Sequence, residues 1–123
     1  MFLKREDKEM SDCLFCRIVN REIPSTPVYE TDKVYAFLDI EPEAPVHVLI
    51  VPKQHISSHN ALTEDNVDVM KDIHLAVNEI VKKLGISDSG YRLINNCGPD
   101  SGQTVFHLHY HLVGGKSLGT KIL

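Results

Sequence analysis

Three histidines, His107, His109 and His111, alternate with apolar residues near the end of this 123-residue chain. A period of two predicts a β-strand over residues 103–113, in which the three imidazoles share one face. The alternating apolar residues, which we expect to face a core, are Phe106, Leu108, Tyr110 and Leu112. The pattern alone permits a solvated strand face, a zinc-chelating pair of histidines, or a nucleophilic site with the middle imidazole as nucleophile.

A second group that could do chemistry is the pair Cys13-x-x-Cys16. Two thiols at this spacing could form a redox dithiol, remain as inert buried cysteines, or supply half of a zinc site. A redox pair would be expected after a strand, and nothing strand-like precedes Cys13. Cys97 makes the cysteine count odd, which argues against a framework of disulfides.

Two further polar residues and one loop are candidates for ligand binding. Asp39 ends an apolar strand before a proline-rich turn, where it could stabilise the turn or accept hydrogen bonds from a sugar diol. His47 stands within an apolar run, where a lone histidine is usually a satisfied core residue. The loop 97–102 could present backbone N–H groups to an anion or be an ordinary turn.

The elements that must position these residues follow from hydrophobic periodicity. Helical spacing after Cys13 predicts a short helix that ends before Pro24, and residues 63–84 predict a long helix capped by Thr63. The apolar stripe of the long helix would face the core or a dimer partner. The predicted strands cover residues 28–30, 34–39, 46–51, 91–96 and 103–113. The fold class is therefore α+β, an antiparallel sheet of about five strands with one long and one short N-terminal helix.

Composition narrows the class of protein further. Hydrophobic residues make up 42% of the chain and charged residues 24%, as in soluble globular domains. The net charge of −4 argues against a nucleic-acid partner. We find no membrane-spanning run or signal peptide and therefore expect a cytoplasmic protein without a membrane partner. The charged residues 1–10 predict a mobile N-terminal extension, or sequence upstream of a start at Met10, ahead of a single domain over residues 11–123.

The histidine motif, with Gln103–Phe106 before it and Gly114-Gly115 after it, resembles the motif of the histidine triad (HIT) family and its Hint branch. The resemblance extends from about Cys13 to Gly115. It implies a HIT-like fold, a homodimer and a nucleotidyl hydrolase that needs no metal cofactor for catalysis. In such an enzyme His109 attacks the phosphorus of a purine nucleoside 5′-monophosphate derivative, such as a phosphoramidate, and forms a nucleotidyl-histidine intermediate. The catalytic residues implied in this way are His47, Thr104, His107, His109 and His111.

The same resemblance implies a set of substrate-binding residues. Asp39 would bind the ribose hydroxyls, and His47 with neighbouring carbonyls would hold His109 in the required tautomer. The phosphoryl oxygens would receive donors from His111 and from the residues that precede the motif. The implied substrate-binding residues are Phe37, Asp39, Ile40, Asn96, Gly102, Gln103, Thr104, Val105, His109 and His111.

Two features of the sequence bear on specificity within the family. His111 replaces the glutamine of the uridylyltransferase branch, which disfavours a transferase. The chain has no tryptophan, whereas many Hint-type chains end in a tryptophan-containing tail, so leaving-group specificity stays open. The alternatives are a nucleotide-binding interaction module with incidental hydrolysis and a dinucleoside polyphosphate hydrolase.

The cysteine pair also predicts a structural zinc ion with the ligands Cys13, Cys16, His55 and His107. Two thiolates leave a tetrahedral site incomplete, and the two histidines complete it if the N-terminal helix packs near them. Bacterial family members resemble this chain in carrying the cysteine pair. The alternative is a cluster of reduced, buried cysteines beside an unliganded His55.

Overall fold

The computed structural model describes residues 12–123, so the predicted extension over residues 1–10 lies outside the described part of the chain. Two α-helices, α1 (Leu14–Val19) and α2 (Val69–Lys83), flank one five-stranded antiparallel sheet in these residues. The strands are β1 (Pro27–Glu30), β2 (Val34–Leu38), β3 (Val46–Pro52), β4 (Tyr91–Ile94) and β5 (Tyr110–Gly114), in the order β1-β2-β3-β5-β4. The predicted α+β architecture is confirmed.

Successive side chains of the central strands point to opposite faces of the sheet, and both faces are buried. In β3, Val48 and Ile50 pack beneath α2, whereas Leu49 and Val51 pack beneath α1 with Phe15. The register pairs Leu49 with His111. The histidine side chain of β5 is thereby placed on the α1 face of the sheet, because paired residues share a face.

The predicted apolar stripe of the long helix covers the other face. Ile73, Val77 and Ile80 are buried against strands of the same chain. The stripe therefore belongs to the core of this subunit, and it is not an argument for a dimer. Within residues 12–123, no helix combines the length and the apolar character needed to cross a membrane.

The long helix begins later than predicted, at Val69 instead of Thr63. The Thr63 hydroxyl accepts a hydrogen bond from the Asp65 N–H, and the Asn66 side chain accepts one from the Thr63 N–H. Such local bonds offer the backbone an alternative to the helix. Residues 64–68 accordingly form turns, and Val67, an apolar residue within the predicted helix, is 42% exposed.

The predicted strand over residues 103–113 is too long, because β5 begins at Tyr110. Continuing its register beyond the Tyr110–Ile50 pair would place Leu108 opposite Pro52, which has no N–H for a ladder bond. Leu108 instead donates its N–H to the Ile56 carbonyl at 2.6 Å. Leu108 and Leu112 are buried as predicted, but Phe106 is 64% exposed, so its expected core position is wrong.

Candidate functional site

A cavity of about 630 Å³ lies on the α1 face of the sheet and is large enough for a small-molecule ligand. All ten predicted substrate-binding residues line it, together with His47. His107 is fully buried behind this wall. The predicted residues on the cavity wall are Phe37, Asp39, Ile40, Asn96, Gly102, Gln103, Thr104, Val105, His109 and His111.

The hydrogen bond of His109 fixes its tautomer. Its Nδ1 lies 2.7 Å from the backbone carbonyl oxygen of His107. A carbonyl oxygen can only accept, so Nδ1 carries the proton and Nε2 keeps its lone pair. Burial lowers the pKa of His109, although the hydrogen bond to His107 and the charge of Asp39 oppose the shift. A buried, neutral imidazole with a free Nε2 lone pair is suited to nucleophilic attack.

The hydrogen bonds around His111 give it the tautomer opposite to that of His109. The Glu43 N–H donates to His47 Nδ1 at 3.1 Å, so neutral His47 carries its proton on Nε2. That Nε2 lies 2.9 Å from His111 Nδ1, which therefore accepts. Burial, and then the neighbouring His109 and His47, lower the pKa of His111. His111 is thus neutral, with Nε2–H as its remaining donor.

The position of His47 differs from the prediction that it orients His109. The register of β3 and β5 pairs His47 with Val113 and Leu49 with His111, so His47 and His111 are diagonal neighbours on one face. His47 therefore bonds to His111, and the carbonyl of His107 orients His109.

Asp39 makes the turn contact that its position after β2 predicts. Its Oδ1 accepts a hydrogen bond from the Glu41 N–H at 2.8 Å, and its Oδ2 lies 3.4 Å from His47 Nε2. The side chain is 18% exposed and lines the cavity. A carboxylate has about four acceptor positions, so the turn bond leaves capacity for a ligand.

The loop ahead of the histidines is held by the buried side chain of Gln103. Its amide oxygen accepts from the Gly98 N–H at 3.0 Å, and its amide nitrogen donates to the carbonyls of Ser57 and Val105. Direct donation from this side chain to a phosphoryl oxygen would break one of these bonds. Gln103 therefore organises the loop, and the exposed Thr104 hydroxyl is better placed to meet a ligand.

One wall of the cavity was not identified from the sequence. Phe15 of α1 packs edge-on against the His109 ring, with 4.9 Å between centroids and an interplanar angle of 89°. Helical spacing predicted the short helix, but a local pattern cannot show which face of the sheet α1 covers. Further apolar side chains on this wall are Leu14, Ile23, Leu38 and Leu49.

Behind this wall, four residues form the cysteine–histidine cluster: Cys13, Cys16, His55 and His107. Their ligand atoms all lie within 4.8 Å of one another. His107 Nδ1 is 3.3 Å from Cys13 Sγ and 3.5 Å from Cys16 Sγ, and His55 Nδ1 is 3.3 Å from Cys16 Sγ. Tetrahedral zinc with ordinary bond lengths would separate sulfur and nitrogen ligands by about 3.6 Å. The cluster is thus a possible Cys₂His₂ metal site.

The protonation of His107 also fits a metal ligand. Its Nε2 donates to the Pro52 carbonyl at 2.8 Å, which leaves the Nδ1 lone pair facing the two sulfurs. Burial lowers the pKa of His107 to about 4, so the imidazole is neutral. Burial raises the pKa of the Cys16 thiol to about 12, and a bound divalent cation would reverse this by favouring the thiolate. Thiolate and imidazole ligands with this geometry suit zinc.

Asp39, His47 and His111 form a second group of possible ligands, whose atoms also lie within 4.8 Å of one another. A metal ion there would require the lone pair of His47 Nε2. The bond from the Glu43 N–H to His47 Nδ1 places the proton on Nε2 instead. We therefore interpret these three residues as a group of interacting side chains and not as a metal site.

Comparison with protein families and solved structures supports the fold described above. The sequence model of the HIT domain family matches residues 20–118 of this chain, which lie inside the predicted domain over residues 11–123. A solved HIT family hydrolase from Clostridium thermocellum is 55% identical to this chain, with a TM-score of 0.89. The match covers 91% of this chain and 97% of that one.

The name of one sequence relative states an enzymatic activity, and the name of another states that it binds zinc. The purine nucleoside phosphoramidase of Escherichia coli K12 is 41% identical over 108 residues, which are 88% of this chain and 91% of that protein. A 14 kDa zinc-binding protein of Brassica juncea is 39% identical over 109 residues, 87% of this chain and 96% of that protein.

Proposed function

This chain belongs to the HIT domain family, and from that premise we propose that it is a nucleotidyl hydrolase acting on purine nucleoside 5′-monophosphate derivatives, phosphoramidates among them. The observation that carries the proposal is the bond between His109 Nδ1 and the His107 carbonyl. It leaves Nε2 of a cavity-lining imidazole with a free lone pair. The E. coli relative named a phosphoramidase supports the choice of substrate class.

The reaction would proceed in two displacements. His109 Nε2 attacks the phosphorus, the bond from phosphorus to the leaving amine breaks, and the amine departs with a proton taken from solvent. Water then attacks the phosphorus of the nucleotidyl-histidine and loses a proton to solvent, which releases the nucleoside monophosphate and restores neutral His109. Phosphoryl transfer depends on positioning and electrostatic stabilisation. His111 Nε2–H, oriented by His47, and the Thr104 hydroxyl would donate to the phosphoryl oxygens.

Turnover of adenosine 5′-phosphoramidate tests the proposed function. We expect stoichiometric release of AMP and ammonia from the wild-type protein. Faster turnover of a dinucleoside polyphosphate would support that alternative substrate class. Binding of AMP without turnover of either substrate would reject the hydrolase and favour a nucleotide-binding module.

Asp39 is proposed to bind the ribose hydroxyls. Asp39→Ala should weaken binding of a ribonucleotide by about 1–3 kcal/mol, the range for hydrogen bonds to a charged group. Titration calorimetry with AMP and with its 2′,3′-dideoxy analogue measures this effect. The variant should bind the dideoxy analogue nearly as well as the wild type does.

A control is needed because Asp39 also accepts the Glu41 N–H and lies near His47. Asp39→Asn keeps an acceptor for the turn and removes the charge. Equal losses of affinity for the ribose and dideoxy ligands in Asp39→Ala would contradict the diol role and indicate a structural one.

We also propose a homodimer in which β4 pairs with its symmetry mate. β1 and β4 are the edges of the sheet. At the β1 edge Glu30 is held by Arg21 and Lys53, and the Val28 carbonyl accepts a bond from Lys83, features that discourage strand pairing. β4 ends in the exposed Ile94, and pairing would protect this edge.

Light scattering coupled to size exclusion tests the dimer. At micromolar concentration we expect twice the chain mass of 13.9 kDa. The measured mass should stay unchanged on tenfold dilution if a continuous sheet joins the subunits. A mass near that of one chain throughout the series would reject the dimer.

The cysteine–histidine cluster is proposed to bind a structural zinc ion. Cys13 and Cys16 belong to α1 and its cap, His55 follows β3, and His107 precedes β5. A zinc ion there would join α1 to two segments beside the sheet and so stabilise the fold. It would not contact the reacting phosphoryl group.

A further inference from the structure

His107 belongs to the cysteine–histidine cluster and to the active site at once. Its imidazole Nδ1 faces the sulfurs of Cys13 and Cys16. Its backbone carbonyl accepts the Nδ1–H of His109 at 2.7 Å. Any displacement of the His107 side chain that rotates its backbone would therefore lengthen or break the bond that fixes the tautomer of His109.

Phe15 provides a second connection between the two sites. It lies between Cys13 and Cys16 in the sequence, and its ring packs edge-on against both His109 and His107. Cys13 is also the N-cap of α1 and accepts the N–H of Cys16. Ligation of the two sulfurs would fix this turn and hold Phe15 against the His109 ring.

We propose that metal binding by the cysteine–histidine cluster positions His109 for attack, through the His107 carbonyl and the Phe15 ring. This inference rests on the proposed hydrolase activity and goes beyond a stabilising role for the metal. His107 and Phe15 act here as positioning residues, because His109 alone of the three would contact the reacting phosphorus.

The structure also limits the size of the effect. Two hydrogen bonds that use no metal-ligand atom also hold this segment: His107 Nε2–H donates to the Pro52 carbonyl, and the Leu108 N–H donates to the Ile56 carbonyl. These bonds keep the segment near its place, so metal removal should reduce catalysis without abolishing it. Outer contacts that orient catalytic groups are worth about 10–100-fold in activity.

The first experiment compares zinc-loaded protein with protein stripped by a chelator, at a temperature where circular dichroism shows both to be folded. We expect kcat for adenosine 5′-phosphoramidate to fall about 10–100-fold, with KM changed less than about threefold. Added zinc should restore kcat. An unchanged kcat in the stripped, folded protein would overturn the proposal, as would a failure of the protein to bind zinc.

The second experiment reads the tautomer directly and does not depend on turnover. Nitrogen-15 NMR of the histidine side chains should show the Nδ1–H tautomer of His109 as one sharp signal in the loaded protein. Removal of zinc should broaden the signal or add the Nε2–H tautomer. The same sharp signal with and without zinc would reject the positioning role.

Two variants separate positioning from stability. Cys16→Ser removes a cluster ligand, and Val77→Ala removes buried volume beneath α2 in the other core. Both should lower the thermal midpoint, but the loss of kcat and the altered His109 signal should occur in Cys16→Ser only. Equal kcat in the two folded variants would mean that the cluster contributes stability alone.

The readouts also distinguish this inference from the proposed function. If the wild type does not hydrolyse the phosphoramidate but the His109 signal depends on zinc, the substrate assignment fails and the positioning stands. If hydrolysis requires His109 and neither kcat nor the signal depends on zinc, the function stands and the positioning fails.

Discussion

Replacement of His109 by alanine should lower kcat for adenosine 5′-phosphoramidate by at least about 10⁴-fold, because the variant lacks the nucleophile. The loss should fall on kcat, since alanine leaves the other cavity residues in place. Steady-state release of AMP measures the loss. Mass spectrometry of acid-sensitive adducts after rapid quenching should detect a nucleotidyl adduct in the wild type and none in the variant.

The controls for this prediction address folding and binding. His109→Ala should give the same circular dichroism spectrum as the wild type and bind AMP within a few-fold of its affinity. His59→Ala, at an exposed histidine of a 3₁₀ turn outside the cavity, should keep full activity. If His109→Ala retains activity comparable to the wild type, another group is the nucleophile.

The remaining histidines of the motif should respond differently. His111→Ala removes one donor to the phosphoryl group and should be partly active. His107→Ala removes a buried ring that meets two sulfurs and the Pro52 carbonyl, so it should destabilise the protein and leave it only partly active. Its backbone carbonyl, which holds His109, is retained in the variant.

From the sequence we predicted which side chains are buried and which could bind a metal. The ends of the helices and strands, and the hydrogen-bond partners of the site residues, were predicted less well. Period two predicted that Leu108 and Leu112 are buried, and both are. The same period could not show where β5 begins, because that depends on the ladder meeting Pro52 in a distant strand. Thr63 likewise looked like a cap, and only the competing turn with Asn66 moved the start of α2.

The contacts that orient the site depend on tertiary structure and were therefore missed. His47 meets His111 because the register of β3 and β5 makes them diagonal neighbours. The side chain or the backbone of Gln103 was expected to meet the phosphate. Both ends of the side-chain amide are engaged by Gly98, Ser57 and Val105. The spacing of Cys13-x-x-Cys16 predicted half of a zinc site. His55 and His107 were added from the family resemblance and the expected packing of the N-terminal helix near them.

Loss of one ligand of the cysteine–histidine cluster should have the largest effect on stability. Wild-type protein purified without a metal-affinity tag should contain about one zinc per chain by elemental analysis. Cys13→Ser should lose this zinc, and its thermal midpoint should fall by at least about 10 °C. The reason is that zinc binding joins α1 to the segments at His55 and His107, and its free energy is then part of the folding free energy.

Cys97→Ser provides the matched control for the loss of a cysteine. Cys97 is a half-buried free thiol that lies outside the cysteine–histidine cluster, so its replacement should leave zinc content and thermal midpoint close to those of the wild type. Chelator added to Cys97→Ser should then lower its midpoint to that of Cys13→Ser, because both proteins would lack the metal. Less than a few tenths of a zinc per wild-type chain, with Cys13→Ser as stable as the wild type, would mean that the cluster is a pair of reduced, buried cysteines packed beside two histidines.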